Sequence, residues 1–278
     1  MTDLKKKSTF YGNEYVKNAI INVEKSEYWK KKRQEAMEDA SYWMNLTDEE
    51  VWNLVFGNTI SRYWMVWSDG VCPSCNNPCR MYAWKVDAKK YPWKVQCPHC
   101  GEFFPKNDFY AYYRSGLDKT GVFRQELADV TLLTSDDTPG DYESVFRFGI
   151  DDGEGYMSSS GNDKRWHFVG YYLIYGQWKQ LIVNGISKLA VAYLMTGNKS
   201  YAHKAGILFD RVADLFPTFD FRRQGWAYEG GGSRGYVSTW HDANSEMQSM
   251  VMAYDAVFEA IRDDKTLVDF LCKQSEKY

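Results

Sequence analysis

The chain predicts a mainly α-helical protein with a small β-type insertion folded around a metal ion. Three observations lead there. Two Cys-x-x-Cys pairs, Cys72–Cys75 and Cys97–Cys100, are separated by twenty-one residues. After Trp166 apolar residues recur at helical spacing, with Gly and Pro as stops. Aromatic residues form 17% of the sequence, with eleven Trp, twenty-one Tyr and fifteen Phe. Such rings fill wide helical packings and also stack on sugar faces, and core filling is the commoner use.

In chain order, residues 1–67 form an N-terminal helical segment. Tyr11 to Trp43 read as helix, with Tyr15, Ala19, Ile20, Val23, Trp29 and Ala36 at loose helical spacing. Thr47-Asp48-Glu49-Glu50 is a capping box, because the Thr47 hydroxyl accepts from the Glu50 amide and the Glu50 carboxylate reaches back. Val51, Trp52, Val55 and Phe56 give the following helix its apolar stripe, and Gly57 ends it. An aromatic run, Arg62 to Trp67, leads into the insertion at 68–109.

Within the insertion, Pro73 and Pro98 stiffen two knuckles, two intervening residues let each pair of sulfurs face one point, and Gly101 permits the bend after the second. That spacing suits one tetrahedral site of four thiolates, with structural Zn2+ the expected ion. Two disulfides, or unrelated thiols, are the competing readings. A site closed by four cysteines leaves no position for water or substrate, so it staples the fold and any chemistry lies elsewhere. His99 reads as an exposed knuckle residue. Cys79 is close enough to substitute as a ligand but fits the spacing less well, and Cys272 reads as a small buried apolar group. Arg80 to Val95 alternate in the manner of short strands, and Phe103 to Phe109 pack aromatic residues beside the site.

Residues 110–278 comprise a long loop followed by helical hairpins. Tyr110 to Trp166 are rich in Gly, Asp, Ser and Thr, which marks a functional loop or a set of short strands. Trp178, Ile182, Ile186, Leu189 and Tyr193 then define one helical stripe, closed at Thr196-Gly197-Asn198. Ala205, Leu208, Phe209, Val212 and Phe216 define the next, stopped by Pro217. A Gly/Arg-rich loop runs from Phe219 to Gly235. A further helix carries Met247, Met250, Val251, Tyr254, Val257 and Ile261, and another begins at Leu267.

Composition narrows the classes. At 278 residues the chain is long enough for a sizeable core, and 44% apolar content belongs to a folded protein. A net charge of −3 without a basic run argues against nucleic acid as the main partner, since phosphate binding requires a basic face. No apolar run reaches the length of a membrane span, so no membrane partner is expected. Lys5-Lys6-Lys7 is followed by no apolar core of a secretory signal, so the chain as written is expected in the cytoplasm.

Pro92 to Phe109, followed by Tyr113-Arg114-Ser115-Gly116-Leu117-Asp118, resembles the amino-terminal part of heparinase II/III-like polysaccharide lyases. The run Ala190 to Asn198 with Tyr201-Ala202, and Ala253-Tyr254-Asp255, fit the same family. The resemblance covers most of the chain after about Trp43. It implies an incomplete (α/α) toroid of helical hairpins with the zinc ribbon inserted. It also implies a carbon–oxygen lyase that cleaves acidic, uronic-acid-containing polysaccharides, such as glycosaminoglycans or alginate, by β-elimination. Family members append a β-sandwich, and exported members are periplasmic or secreted. Nothing in the sequence after Tyr278 supplies that sandwich, and the chain ends inside a helical pattern, so a fragment of a larger lyase is expected.

Elimination needs the uronate carboxylate neutralised, a base for the C5 proton and an acid for the leaving oxygen. The richest supply lies between Arg222 and Glu246. His241 and Tyr236 are the catalytic candidates, and Arg222, Arg223, Trp226, Tyr228, Arg234, Trp240, Asn244 and Glu246 are the substrate-binding candidates. Arginine fits a carboxylate bidentately, aromatic rings stack on sugars, and Gly230-Gly231-Gly232 lets backbone approach a ligand. The competing reading is an ordinary Gly-rich connection whose aromatics plug the helices. His167 is a second acid–base candidate, and His203 reads as exposed. A glycoside hydrolase would instead need two opposed carboxylates, drawn from Asp151, Asp152 or Glu154 and from Glu229, Asp242 or Glu246. A non-catalytic glycan-binding piece is the third reading.

Overall fold

The computed structural model describes residues 4–66, 70–80, 82–134, 150–157, 165–219, 225–226, 237–238 and 240–278. It is mainly helical with short two-stranded sheets. The helices are α1 (Asn13–Glu24), α2 (Glu27–Met44), α3 (Asp48–Trp52), α4 (Phe109–Ser115), α5 (Phe168–Tyr172), α6 (Asn184–Thr196), α7 (Lys199–Leu215), α8 (Trp240–Arg262) and α9 (Lys265–Ser275). Wide π turns over Leu173–Val183 join α5 to α6. The strands are β1 (Arg62–Tyr63), β2 (Val95–Gln96), β3 (Phe103–Phe104), β4 (Tyr156–Met157), β5 (Arg165–Trp166) and β6 (Gly225–Trp226). No helix among the described residues is long and apolar enough to cross a membrane. The chain divides into two compact units.

One unit comprises Met1–Val55, Ile182–Asp214 and His241–Tyr278, and it is built from helices. The expected single helix over 11–43 is two, because Ser26 adopts the extended conformation of a helix N-cap (φ −145°, ψ 131°) and restarts the chain at Glu27. Within the unit α6 packs most closely on α2, and α1 packs on both. Trp43 lies fully buried beneath Gly185, where a Cβ would come within 2.5 Å of the indole nitrogen. The capping box is formed as read, with Glu50 N–H donating to Thr47 Oγ1 at 3.2 Å and Thr47 N–H to Glu50 Oε2 at 2.7 Å. The helix it starts ends at Trp52, so Val55 and Phe56 are buried from turns beyond it. Gly197 closes α6 in the left-handed region at φ +69°, where its missing Cβ costs nothing.

Two histidine and cysteine readings change here. His203 is not a free surface group: its Nδ1 sits 2.8 Å from Asp264 and its Nε2 3.2 Å from Asp48. Cys272 is exposed, since it falls on the outer face of α9, opposite the buried Leu267 and Gln274. A long-range clamp completes the unit. Asp255 on α8 accepts the backbone N–H groups of Thr9, Phe10 and Tyr11 at 2.7, 2.8 and 3.1 Å and the Lys5 ammonium at 2.6 Å. These donors hold its carboxyl well below the usual carboxylate range against the opposing effect of burial.

The other unit comprises Phe56–Leu181 and Leu215–Trp240. Regular structure is sparse there. Among the described residues, the alternation over Arg80 to Val95 does not form a run of strands; Lys85 makes an isolated bridge to Gln96, and β2 pairs with β3 in the register Val95↔Phe104 and Gln96↔Phe103. Aromatic stacking replaces ladders. Trp93 holds its buried ring 4.6 Å from Tyr113 and 5.3 Å from both Phe109 and Tyr172, and Phe104 stacks on Phe168 at 4.6 Å. The loop from Tyr110 contains α4, two 3₁₀ turns and the antiparallel pair β4–β5 among its described residues.

Candidate functional site

Two clusters of reactive side chains stand out in the aromatic unit. The first is the thiol cluster. Gly101 turns the chain at φ +76°, so its N–H reaches the Cys97 carbonyl at 3.1 Å and Cys97 N–H reaches Glu102 at 2.9 Å. The first knuckle closes likewise, with Asn76 at φ +56° donating to the Cys72 carbonyl at 2.9 Å. These turns bring the sulfurs of Cys72, Cys75, Cys97 and Cys100 within 4.8 Å of one another. Cys72 and Cys100 lie 3.9 Å apart, as do Cys75 and Cys97. Four sulfurs on a tetrahedron at ~2.3 Å from one ion would be spaced by ~3.8 Å, so the cluster has the size of a metal site. The cysteines are free, which disposes of the disulfide reading; a bridge would need sulfurs at ~2.05 Å. Amide donors suit thiolate ligands: His99 N–H points at Cys97 Sγ at 3.4 Å, and the Asn77 amide draws the Cys75 thiol down to about 6. His99 itself is exposed and bonds the Pro78 carbonyl at 2.9 Å, so it is no ligand.

The second cluster is a stacked pair. Tyr63 on β1 lies on the ring of His167 with centroids 3.5 Å apart and planes within 1°. His167 occupies the N-cap position of α5, its amide bonded to the Val66 carbonyl at 2.8 Å. Its Nδ1 is buried with no hydrogen-bond partner among the described residues. Burial, aided by the Arg165 charge, pushes His167 down to about 4, so the imidazole is neutral across the physiological range. Burial, with the Glu154 and Asp151 carboxylates nearby, pushes the Tyr63 phenol up to about 12. Gly155, at φ +115°, is required beside the pair: a Cβ there would sit 2.9 Å from His167 Nδ1.

Asp151 positions this loop. It is fully buried and accepts from the amides of Gly153 (2.9 Å), Gly155 (3.1 Å) and Val169 (3.3 Å), while Asn107 brackets its backbone with two 3.0 Å bonds. Burial outweighs those donors and raises its carboxyl to about 7. An acid so enclosed organises backbone and has no face for a glycosidic bond. The two clusters are joined through Trp166, whose indole N–H donates to the Val71 carbonyl at 2.7 Å, between the residue before Cys72 and the residue before His167.

Among the described residues, the predicted substrate segment meets the pair through β6. β6 runs parallel to β1, with Trp226 opposite Tyr63 and Gly225 opposite Arg62. Asn244 is exposed and Glu246 half-buried on α8, and Trp240 and His241 begin that helix. Arg222, Arg223, Tyr228, Arg234 and Tyr236 lie outside the described residues, as do the side chains of Trp226, Trp240 and His241. Tyr63 was visible in the sequence only as part of an aromatic run, and no local signal ties it to His167. Comparison with family models, curated proteins and solved structures finds no match to this chain.

Proposed function

We propose that the chain is a heparinase II/III-like polysaccharide lyase, or the amino-terminal part of one. In this reading its helices form a partial (α/α) toroid, its thiol cluster is a zinc ribbon, and it cleaves uronic-acid glycans by β-elimination. One juxtaposition carries the reading: the strand containing Trp226 lies against Tyr63, and Tyr63 stacks on a neutral, buried-edge His167. A neutral imidazole and a protonated phenol side by side are the base and acid that elimination requires.

His167 takes the C5 proton, the C4–O bond breaks as the C4–C5 double bond forms, and Tyr63 gives its proton to the departing oxygen. The proton on His167 then returns to Tyr63 through solvent. Arg165, next to the pair, and Arg222, Arg223 and Arg234, flanking β6 in sequence, neutralise the uronate carboxylate that makes the C5 proton acidic. Tyr228, Trp226 and Trp240 stack on sugar rings, with Asn244 and Glu246 as outer polar contacts. His241 and Tyr236 are the competing acid–base pair. Cys72, Cys75, Cys97 and Cys100 would hold a structural zinc ion, which would supply rigidity and no open position for substrate, and the Trp166–Val71 bond links that knuckle to the residue before His167.

The test is incubation of the full chain with uronate polysaccharides, following ultraviolet absorbance of the unsaturated product. Rising absorbance with matching product masses is expected. New reducing ends without absorbance would assign a hydrolase, and retained binding without turnover would assign a binding module.

A further inference from the structure

We infer that Trp64, Tyr82, Tyr175 and Lys179 form a second binding subsite, one that takes an acidic sugar of the glycan held at the Tyr63–His167 pair. The inference deepens the lyase reading and rests on it. His167, Tyr171, Tyr175 and Lys179 recur every four residues from the N-cap of α5 through the wide turns after it. A step of four overshoots one turn of an α-helix and falls short of one π turn, so the row stays on one side. Ring contacts agree. Tyr171 lies 4.3 Å from Tyr175, and Trp64 stacks on Tyr175 at 5.7 Å with planes within 15°. The consecutive residues Tyr63 and Trp64 therefore touch the row at two places, the first at His167 and the second two turns further on.

Three groups at the second place point to a ligand. Tyr82 stands edge-on to Trp64 and Tyr175 at 6.1 and 6.4 Å and is 60% exposed. The Lys179 ammonium lies over both inner rings, 5.0 Å from Tyr175 and 5.6 Å from Trp64. Trp64 is 5% exposed, and its buried indole N–H has no acceptor among the described residues. A buried donor left unmet is costly, so an oxygen that reaches it binds with advantage. Together these groups fit a uronate. The exposed Tyr82 ring tilts onto the sugar face, the Trp64 N–H so uncovered donates to a sugar hydroxyl, and Lys179 meets the carboxylate. A neutral sugar would offer the ammonium no carboxylate.

The test follows binding and turnover separately on alginate and hyaluronan hexasaccharides. Ultraviolet absorbance gives kcat and KM, and Kd comes from calorimetry in a His167→Gln background, so that turnover does not consume the ligand. Lys179→Met and Tyr82→Ala, in protein of unchanged circular dichroism, are expected to raise KM and Kd about tenfold with kcat within about twofold of wild type. Lys179→Arg keeps the charge and is expected to recover most of that loss. Unchanged KM and Kd in both variants, with wild-type turnover intact, would overturn the subsite and leave the lyase standing. Weakened binding in both, beside a wild type that binds but turns nothing over, would overturn the lyase and keep the subsite. Absence of both binding and turnover with either hexasaccharide would overturn both.

Discussion

The helical unit and the aromatic unit stabilise comparable lengths of chain by different means. The helical unit relies on periodic apolar faces, with Trp43, Ile186, Leu189 and Leu208 all buried on helices whose caps are local. Its few polar clamps, Asp255 on the Thr9–Tyr11 amides and His203 between Asp48 and Asp264, tie ends together. The aromatic unit has strands of two residues, left-handed residues at Asn76, Trp93 and Gly101, and a Lys94 ammonium donating to the Pro105 and Asn107 carbonyls at 2.7 and 2.8 Å. Such a segment lacks the cooperative ladder of a helix, so stacked rings must order it, and its four clustered thiols are close enough to add a metal cross-link. The stacked Tyr63–His167 pair belongs to this second unit.

Removing the cross-link should separate the units most. Chelation, or Cys97→Ser, is expected to abolish most near-ultraviolet circular dichroism, which reports the packed rings, and to leave most far-ultraviolet helical signal. Metal binding is coupled to the folding of such sites. Parallel loss of both signals would dissolve the contrast. In the helical unit, Trp43→Ala leaves a void under Gly185 and should cost about 3–5 kcal/mol in chemical denaturation; a cost under about 1 kcal/mol would mean that helical packing is not its main support. Gly155→Ala combines a disfavoured φ with a methyl group against His167, and should cost about 1–3 kcal/mol while reducing turnover more than stability. Equal loss in both would make the glycine merely structural. The exposed pair Lys30–Glu27, at 2.8 Å on α2, should be the least consequential, with no measurable change in Tm on Lys30→Ala.

Acid should also distinguish the units. His167 has a folded pKa below its unfolded value, so its contribution to stability is complete above about 6.5 and is lost as pH falls through about 4. His167→Gln should remove that part of the acid sensitivity.

The difference between the units also governs what was legible in the sequence. The capping box at Thr47, the stop at Gly197 and the stripe from Ile186 to Tyr193 depend on neighbours within a turn or two and emerged as read, while Trp178 and Ile182 of that stripe are buried from the wide turns before α6. The four cysteines were legible because each knuckle is local and only one join between them is not. The restart at Ser26 carried a cap residue that the charged run beyond it obscured. Tyr63 with His167, Asp255 with the Thr9–Tyr11 backbone, and His203 with its two carboxylates are meetings of distant segments, and no periodicity announces them. Asp151 could be offered as one carboxylate of the competing hydrolase because sequence gives its type without its burial.

Proton transfer by the proposed Tyr63–His167 pair on a uronate glycan is tested most directly by kcat and KM of Tyr63→Phe and His167→Gln on the best uronate substrate, in protein of unchanged circular dichroism and metal content. A kcat lower by about 10²–10⁴-fold is expected in each variant, with KM little changed. Wild-type turnover in both would contradict it.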